Sequence, residues 1–223
     1  MNLQKMISEI RDLSNEFTEE KITNKAIIDW INEIYLDLVL RTKILQKEFS
    51  FNTVVGKQTY DFFSDLSLFD VLDILRVEIN NKKIALLTYN DLDIEKSDWK
   101  KDIGEPEYYL LQGLQKILFY PSPDMVYPAY ILYVKRPDKL QYDVDTPAIP
   151  EEFHKIILYG TLAIVKTKLA QQDFVIYEQK YMKFIDDYKV DLENKLITKP
   201  PEKLWTAVST FDFSGTRTKS WGF

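Results

Sequence analysis

The stretch Leu38–Val55, "LVLRTKILQKEFSFNTVV", contains the change of period on which the fold turns. Its first residues continue a helix expected over about residues 24–43. In that helix Ile27, Ile31, Ile34 and Leu38 form one stripe, and Trp30, Tyr35 and Val39 widen it. Spacings of three and four residues are the mark of a helix face, and a stripe this wide has to be covered on more than one side. From Lys47 the period becomes two: "KEFSFNTVV" places Phe49, Phe51 and Thr53 on one face, as a strand does.

Working outward toward the N-terminus, Leu3, Met6, Ile7, Ile10 and Leu13 predict a short amphipathic helix over about 2–15. "NEFTEEKIT" interrupts it, and Thr23 is suited to cap the second helix. In the other direction, "GKQ" turns the chain and "TYDF" returns, so the sequence predicts a hairpin with the Phe49–Phe51 strand. "VLDILRVEINNKKIALL" predicts a second hairpin, because Asn80-Asn81 tolerates the positive φ that a two-residue turn demands. Thr88 starts a short capped helix in "TYNDLDIEKSDW". "EPEYYLLQG", "QKILFYPSP" and "AYILYVKRP" are three further strand candidates, and Pro121, Pro123, Pro128 and Pro137 are kept out of central ladders.

Helical spacing then returns. In "IPEEFHKIILYGTLAIVKTKLAQQ", Pro150 sits near the first turn, Glu151 and Glu152 favour the positive helix end, and Phe153, Ile156, Ile157, Gly160 and Ile164 mark the buried face. A glycine inside a helix costs about 1 kcal/mol against alanine, which a close approach of another backbone at Gly160 would offset. Asp173 caps a last helix running to about Lys195, with Tyr177, Tyr181, Phe184, Tyr188 and Leu192 along one side. Pro200 and Pro201 stop it.

The expected class is therefore α+β but mainly helical. Two N-terminal helices (1–46) and two C-terminal helices (147–197) form a bundle, with a β-rich insertion (47–146) and an extended C-terminal arm (198–223). The runner-up is two loosely joined domains, which would leave helical stripes exposed.

Composition narrows function. The chain of 223 residues is 45% hydrophobic with a net charge of -6, which suits a packed protein and argues against DNA binding through overall charge. It has no cysteine, so no disulfide, thiolate nucleophile or cysteine metal site is available. No stretch approaches the roughly 18 apolar residues of a membrane span and no signal peptide is visible, so a soluble protein is expected.

No catalytic, cofactor or metal constellation emerges. The single histidine, His154, follows two glutamates in a first helical turn and reads as a helix-surface residue, since no nucleophile elbow accompanies it. "DLDIEKSDWKKD" opens like a calcium loop with Asp91, Asp93 and Glu95, but Lys96 stands where glycine is needed and Asp102 where a bidentate glutamate is needed. It reads as a solvated acidic face. Asp186 and Asp187 are adjacent on a helix, about 100° apart, and do not converge. The tyrosines of "FYPSPDMVYPAYILYVKRP" alternate as half-buried strands do, rather than as a base-stacking platform.

Residues 7–193 resemble the head-to-tail adaptor (connector) proteins of tailed bacteriophages. The likeness is carried by the order "ITNKAIIDWINEIYLDL", "VVGKQTYDF", "LFYPSPD", "YILYVKRP", "TPAIPEEFHKIILYGTLA" and "YEQKYMKFIDDY". It implies a non-catalytic virion protein of the neck, assembled in the host cytoplasm. Such proteins form a ring, typically of twelve copies, beneath the portal. The ring extends the DNA channel without sequence-specific contact, binds no cofactor or membrane, and docks the tail or a second connector protein. An acidic wall would let the duplex slide. Trp30, Tyr35, Tyr177, Tyr181 and Tyr188 are candidates for contact between copies, or else fill the core of their own chain.

The resemblance also implies an arm that reaches the portal. Here "LWTAVSTFDFSGTRTKSWGF" offers Trp205, Phe211, Phe213, Trp221 and Phe223 as anchors, with Arg217 and Lys219 adding local positive charge. Phe211 and Phe213 would share one face of a strand added to a partner's sheet edge. The competing readings are another ring or tail-tube subunit, a carboxylate-dependent hydrolase with two carboxyls across a cleft, and a generic cellular binding module.

Overall fold

A computed structural model describes residues 1–16, 19–95 and 98–197. Helix α1 (Leu3–Ser14) begins where the Asn2 side chain accepts the Lys5 N–H at 3.1 Å, and it ends at Asn15, whose φ of 56° stops the helix. Helix α2 (Asn24–Thr42) is capped by Thr23, which accepts the Ala26 N–H at 3.2 Å, and closes on Lys43 at φ 53°. After the sheet region, a 3-10 turn (Glu151–Phe153) leads into α4 (His154–Lys168), and a tight turn leads into α5 (Phe174–Ile197). Leu3, Met6 and Ile10 of α1, Ile31 and Leu38 of α2, Ile157 and Leu162 of α4 and Ile185 of α5 share one buried cluster.

Between them the described residues form nine strands, with the short helix α3 (Tyr89–Glu95) among them. Strands β1 (Gln46–Asn52), β2 (Thr59–Asp61), β3 (Val71–Ile79), β4 (Lys82–Leu86), β6 (Tyr108–Gln112), β7 (Lys116–Tyr120) and β9 (Pro128–Lys135) make one seven-stranded sheet in the order β1-β9-β3-β4-β6-β7-β2. Two-residue strands β5 (Ile103–Gly104) and β8 (Ser122–Pro123) pair separately. All neighbours in the large sheet are antiparallel except β4 and β6. A parallel pair needs a crossover; here the segment carrying α3 supplies it. Trp99, Leu92, Leu110 and Leu118 pack beneath that crossover, so β6 and β7 are buried on both faces.

The sheet curls. Its edges β1 and β2 approach at one end, where the Phe51 ring lies 5.3 Å from Tyr60 and 6.2 Å from Phe119. Val77, Ile79, Ile117, Phe119, Ile131 and Tyr133 fill the inside of the curl.

The structure departs from the sequence expectation at four places. The chain is not a mainly helical four-helix bundle: the described residues form five helices beside a large curled seven-stranded sheet, which makes the fold β-rich. Each strand run looked like a small local hairpin because periodicity carries no information on distant partners. Joined, the strands build a body with a core of its own.

Second, β1 does not pair with β2. It pairs with β9, Phe49 opposite Ile131, and puts the "GKQ" loop between the two outer edges of the sheet. The β3–β4 hairpin, by contrast, forms at Asn80 (φ 52°) and Asn81 (φ 61°).

Third, Gly160 is approached by side chains and not by another backbone. A Cβ there would lie 2.6 Å from Ile34 Cγ2 of α2 and 3.1 Å from Tyr181 Cδ2 of α5. Fourth, His154 is buried. Its Nε2 donates to the Ile149 carbonyl at 3.0 Å and its Nδ1 faces the Met1 amino nitrogen at 2.8 Å.

Candidate interaction surfaces

Three carboxylates of the calcium-loop-like stretch, Asp91, Asp93 and Asp102, take structural hydrogen bonds. Asp91 accepts the Thr88 N–H at 2.9 Å and its hydroxyl at 2.7 Å, while Thr88 accepts the Asp91 N–H, a reciprocal cap that holds the Asp91 carboxyl below its ordinary range. Asp93 accepts the Trp99 indole N–H at 2.8 Å, and Asp102 accepts the Tyr120 hydroxyl at 2.8 Å. Lys96 lies outside the described residues, as does the whole arm with Trp205, Phe211, Phe213, Arg217, Lys219, Trp221 and Phe223. Asp186 and Asp187 are exposed on α5. Among the described residues no three His, Asp or Glu side chains group as metal ligands, and no helix is long and apolar enough to cross a membrane.

The aromatics offered for contact between copies fall into two groups. Tyr35 and Tyr181 are 1% and 5% exposed and belong to their own chain's core. The Tyr35 hydroxyl accepts the Ala148 N–H at 2.8 Å, and burial pushes its pKa up. Tyr181 donates to Asp37 Oδ2 at 2.6 Å, and Asp37 also takes Arg41 Nε at 2.7 Å. Burial first, and then the Asp37 carboxylate, raise the Tyr181 pKa far above the usual phenol.

Trp30, Tyr177 and Tyr188 are half-buried and keep an outer edge. Tyr177 lies 6.3 Å from Tyr159, with Lys166 and Lys180 ammoniums over its ring at 5.3 and 5.2 Å. Tyr188 meets Phe153 edge-on at 5.3 Å.

Three exposed apolar surfaces stand out, and sequence reasoning missed all of them. The first is a tip at the end of the curled sheet: Val54, Val55, Met125 and Val126 are between 54% and 60% exposed. It is held stiffly. Thr53 N–H donates to the Tyr127 carbonyl and Tyr127 N–H to Thr53 Oγ1, both at 2.8 Å; Gly56 N–H donates to Pro123 at 2.8 Å. Tyr127 donates to Asp124 at 2.6 Å, and this bond, with lesser help from burial, pushes its pKa up to about 12.

The second surface is Phe63 with Phe69, 68% and 64% exposed, their rings edge-on at 4.4 Å. Their loop is locked by Asp61, which accepts the Phe63 and Ser64 N–H groups at 2.9 Å, and by Asp65, which pairs with Lys57 at 2.7 Å. Those bonds hold both carboxyls below the usual range. The signal was available: in "DFFSDLSLFD" Phe62 and Phe63 are adjacent, and both cannot face inward in an extended chain.

The third surface is a groove between α2, α4 and α5, with a cavity of about 430 Å³. Gly160 lies at its floor, Ile34, Leu40 and Met182 form apolar walls, and Glu33, Asp37 and Glu178 stand at the rim. Leu40 and Met182 are 46% and 41% exposed.

A family model described as "SU10 adaptor protein", a phage head-to-tail adaptor family, matches residues 1–198. No curated protein matches the chain.

Proposed function

We propose, from the premise that this chain belongs to the SU10 adaptor protein family, that it is a non-enzymatic neck protein forming a ring beneath the portal. In this reading the ring extends the DNA channel and presents a docking surface to the tail or to a second connector. The observation that carries the reading is the family match over nearly all of the described chain. Exposed, stiffly held apolar surfaces at the sheet tip and at Phe63–Phe69 support it, because preorganised apolar and aromatic anchors suit assembly. The net charge of -6 supports a conduit that does not hold phosphate. A channel wall lined mainly with Lys and Arg would remove that point.

The arm is the proposed portal contact, through Trp205, Phe211, Phe213, Arg217, Lys219, Trp221 and Phe223. Trp30, Tyr177 and Tyr188 are the proposed contacts between copies, since they keep an outer edge that Tyr35 and Tyr181 lack. Electron microscopy of the protein mixed with its portal tests the function. A ring capping the portal is expected; a protein that stays monomeric beside purified portal refutes it. Deleting residues 204–223 is expected to leave a folded protein that no longer docks.

A further inference from the structure

A fourth exposed apolar feature lies between β9 and α4. In the turn Gln141–Asp145, Tyr142 is 70% and Val144 78% exposed, with the exposed Asp143 between them. The turn is held to one shape. Asp145 Oδ2 accepts the Gln141 and Tyr142 N–H groups at 2.8 and 2.9 Å, and the Asp145 N–H donates to the Tyr142 carbonyl at 2.9 Å. The first turn of α1 clamps it further: the Leu3 N–H donates to the Asp145 carbonyl at 2.8 Å and the Gln4 N–H to the Asp143 carbonyl at 3.1 Å. A constrained turn presenting two apolar side chains is a knob that binds with little ordering cost. The Asp143 carboxylate has no ion pair among the described residues. The other exposed apolar sites differ in this respect, since Asp124 is bonded to Tyr127 and Asp61 and Asp65 are engaged in their own loop.

At the opposite end of α1 is a groove of about 670 Å³ between the α1–α2 connection, α2 and the end of α4. Half-buried Trp30, with Ile22, Ala26 and Leu169, gives it apolar walls. Among the described residues its charged lining consists of two lysines, Lys21 and Lys168. Lys168 is exposed and has no ion pair among the described residues, and Lys21 reaches Glu16 only at 3.9 Å. The positive end of α2, at Thr23 and Ala26, strengthens this field. The last carbonyls of α4 oppose it weakly, because the Leu169, Ala170 and Gln171 N–H groups bond to them. Two other grooves on the helices are lined by carboxylates, Asp29 and Asp138 in one and Glu33, Asp37 and Glu178 in the other. The Trp30 groove therefore favours an occupant that is apolar and acidic.

Knob and groove cannot meet within one chain. The knob is tied to Leu3 and Gln4, whereas the groove is tied to the last turn of α1, where Arg11 donates to the Ile22 carbonyl at 3.0 Å and Gln171 to the Ser14 carbonyl at 2.8 Å. From Leu3 to Ser14 is about 16 Å at the helical rise.

We propose that the Tyr142–Asp143–Val144 knob of one copy docks in the Trp30 groove of the next, with Tyr142 and Val144 against Trp30 and Asp143 facing Lys21 and Lys168. The inference rests on the reading of the protein as a ring former and names the contact between neighbours. Two different patches on each copy make the contact heterologous, the kind that closes rings.

The absence of cysteine allows a direct test. Full-length Val144→Cys and Ala170→Cys proteins, differently tagged, are mixed one to one with purified portal and oxidised, and the products are identified by mass. Val54→Cys, on the remote sheet tip, replaces Val144→Cys in the control. The mixed dimer of Val144→Cys with Ala170→Cys is expected to form at least roughly tenfold faster than the control dimer, because docking raises the effective concentration of the two thiols. Adding Asp143→Lys to the knob protein is expected to remove the advantage. Adding Lys21→Glu and Lys168→Glu to the groove protein is then expected to restore it. All these positions are exposed, and circular dichroism checks that each variant stays folded. Equal rates for the two pairs overturn the proposal, as does a dominant dimer of Val144→Cys with itself, which a symmetric contact would give. Lost cross-linking that the charge swap does not restore overturns the electrostatic part. Electron microscopy of the unsubstituted protein on portal separates the two readings: a ring without selective cross-linking overturns this contact alone, and no ring with no selective product overturns both.

Discussion

Replacing Gly160 by alanine separates two readings of a glycine in the middle of a helix. If the residue were only a weak helix former, alanine would stabilise the protein by about 1 kcal/mol. The geometry predicts the opposite sign. The added Cβ would sit 2.6 Å from Ile34 Cγ2 and 3.1 Å from both Ile34 Cδ1 and Tyr181 Cδ2, well inside the roughly 3.5–4.0 Å at which carbon atoms rest. Ile34 is β-branched, and its Cγ2 withdraws only by leaving its rotamer or by moving α2. Displacing Tyr181 instead strains its 2.6 Å hydrogen bond to Asp37.

Overpacking of this kind costs about 1–3 kcal/mol. After the helix-propensity gain of about 1 kcal/mol, the net loss is about 0–2 kcal/mol, a fall in Tm of up to about 6 °C for a chain this long. Thermal and urea unfolding of purified Gly160→Ala measure it, and Ile34→Ala in the same background should recover part of the loss. A Gly160→Ala protein more stable than the parent refutes the close approach at the heart of the helical packing.

Further outcomes follow from the same structure. Tyr35, Tyr127, Tyr133 and Tyr181 all have raised phenol pKa values, Tyr127 to about 12. Their stabilising contribution is complete below the unfolded value of about 10 and is lost as pH rises through the folded values. Unfolding should thus become easier above about pH 10, and an absorbance titration of tyrosinate should show a late-ionising fraction that merges with the rest in denaturant. Lys166 is 3% exposed and donates to Asp173 at 2.8 Å and Gln171 at 3.0 Å. Lys166→Met should cost about 1–2 kcal/mol in urea unfolding, moderated because Asp173 is partly solvated. Asn80→Ala with Asn81→Ala should cost about 1–2 kcal/mol per left-handed residue, whereas Asn81→Gly should be neutral or slightly stabilising. Phe63→Ser with Phe69→Ser should leave Tm within about 1 °C, since both rings are exposed, while reducing self-association measured by sedimentation.

The sequence by itself determined the elements whose causes are local. Thr23 caps α2 and Thr88 with Asp91 caps α3 because those contacts span three residues. Asn80-Asn81 turns a hairpin because two residues set the backbone there. The family was also legible, because the order of several weak patterns along residues 7–193 carries more than any one of them, and the family match covers residues 1–198.

Tertiary structure alone decided what depends on distant partners. Strand periodicity says which face of β1 is apolar but not that Phe49 lies opposite Ile131 rather than beside β2, so the large curled sheet is invisible to local pattern, which alone points to a mainly helical chain. His154 looked like a surface residue because its cover, Ile149 and Met1, is assembled only when the N-terminal residue folds back on α4. The groove over Gly160 likewise exists only once α2 and α5 close on α4. Local dihedral preferences and capping bonds act within a turn of chain, whereas burial is a property of what the whole chain brings together.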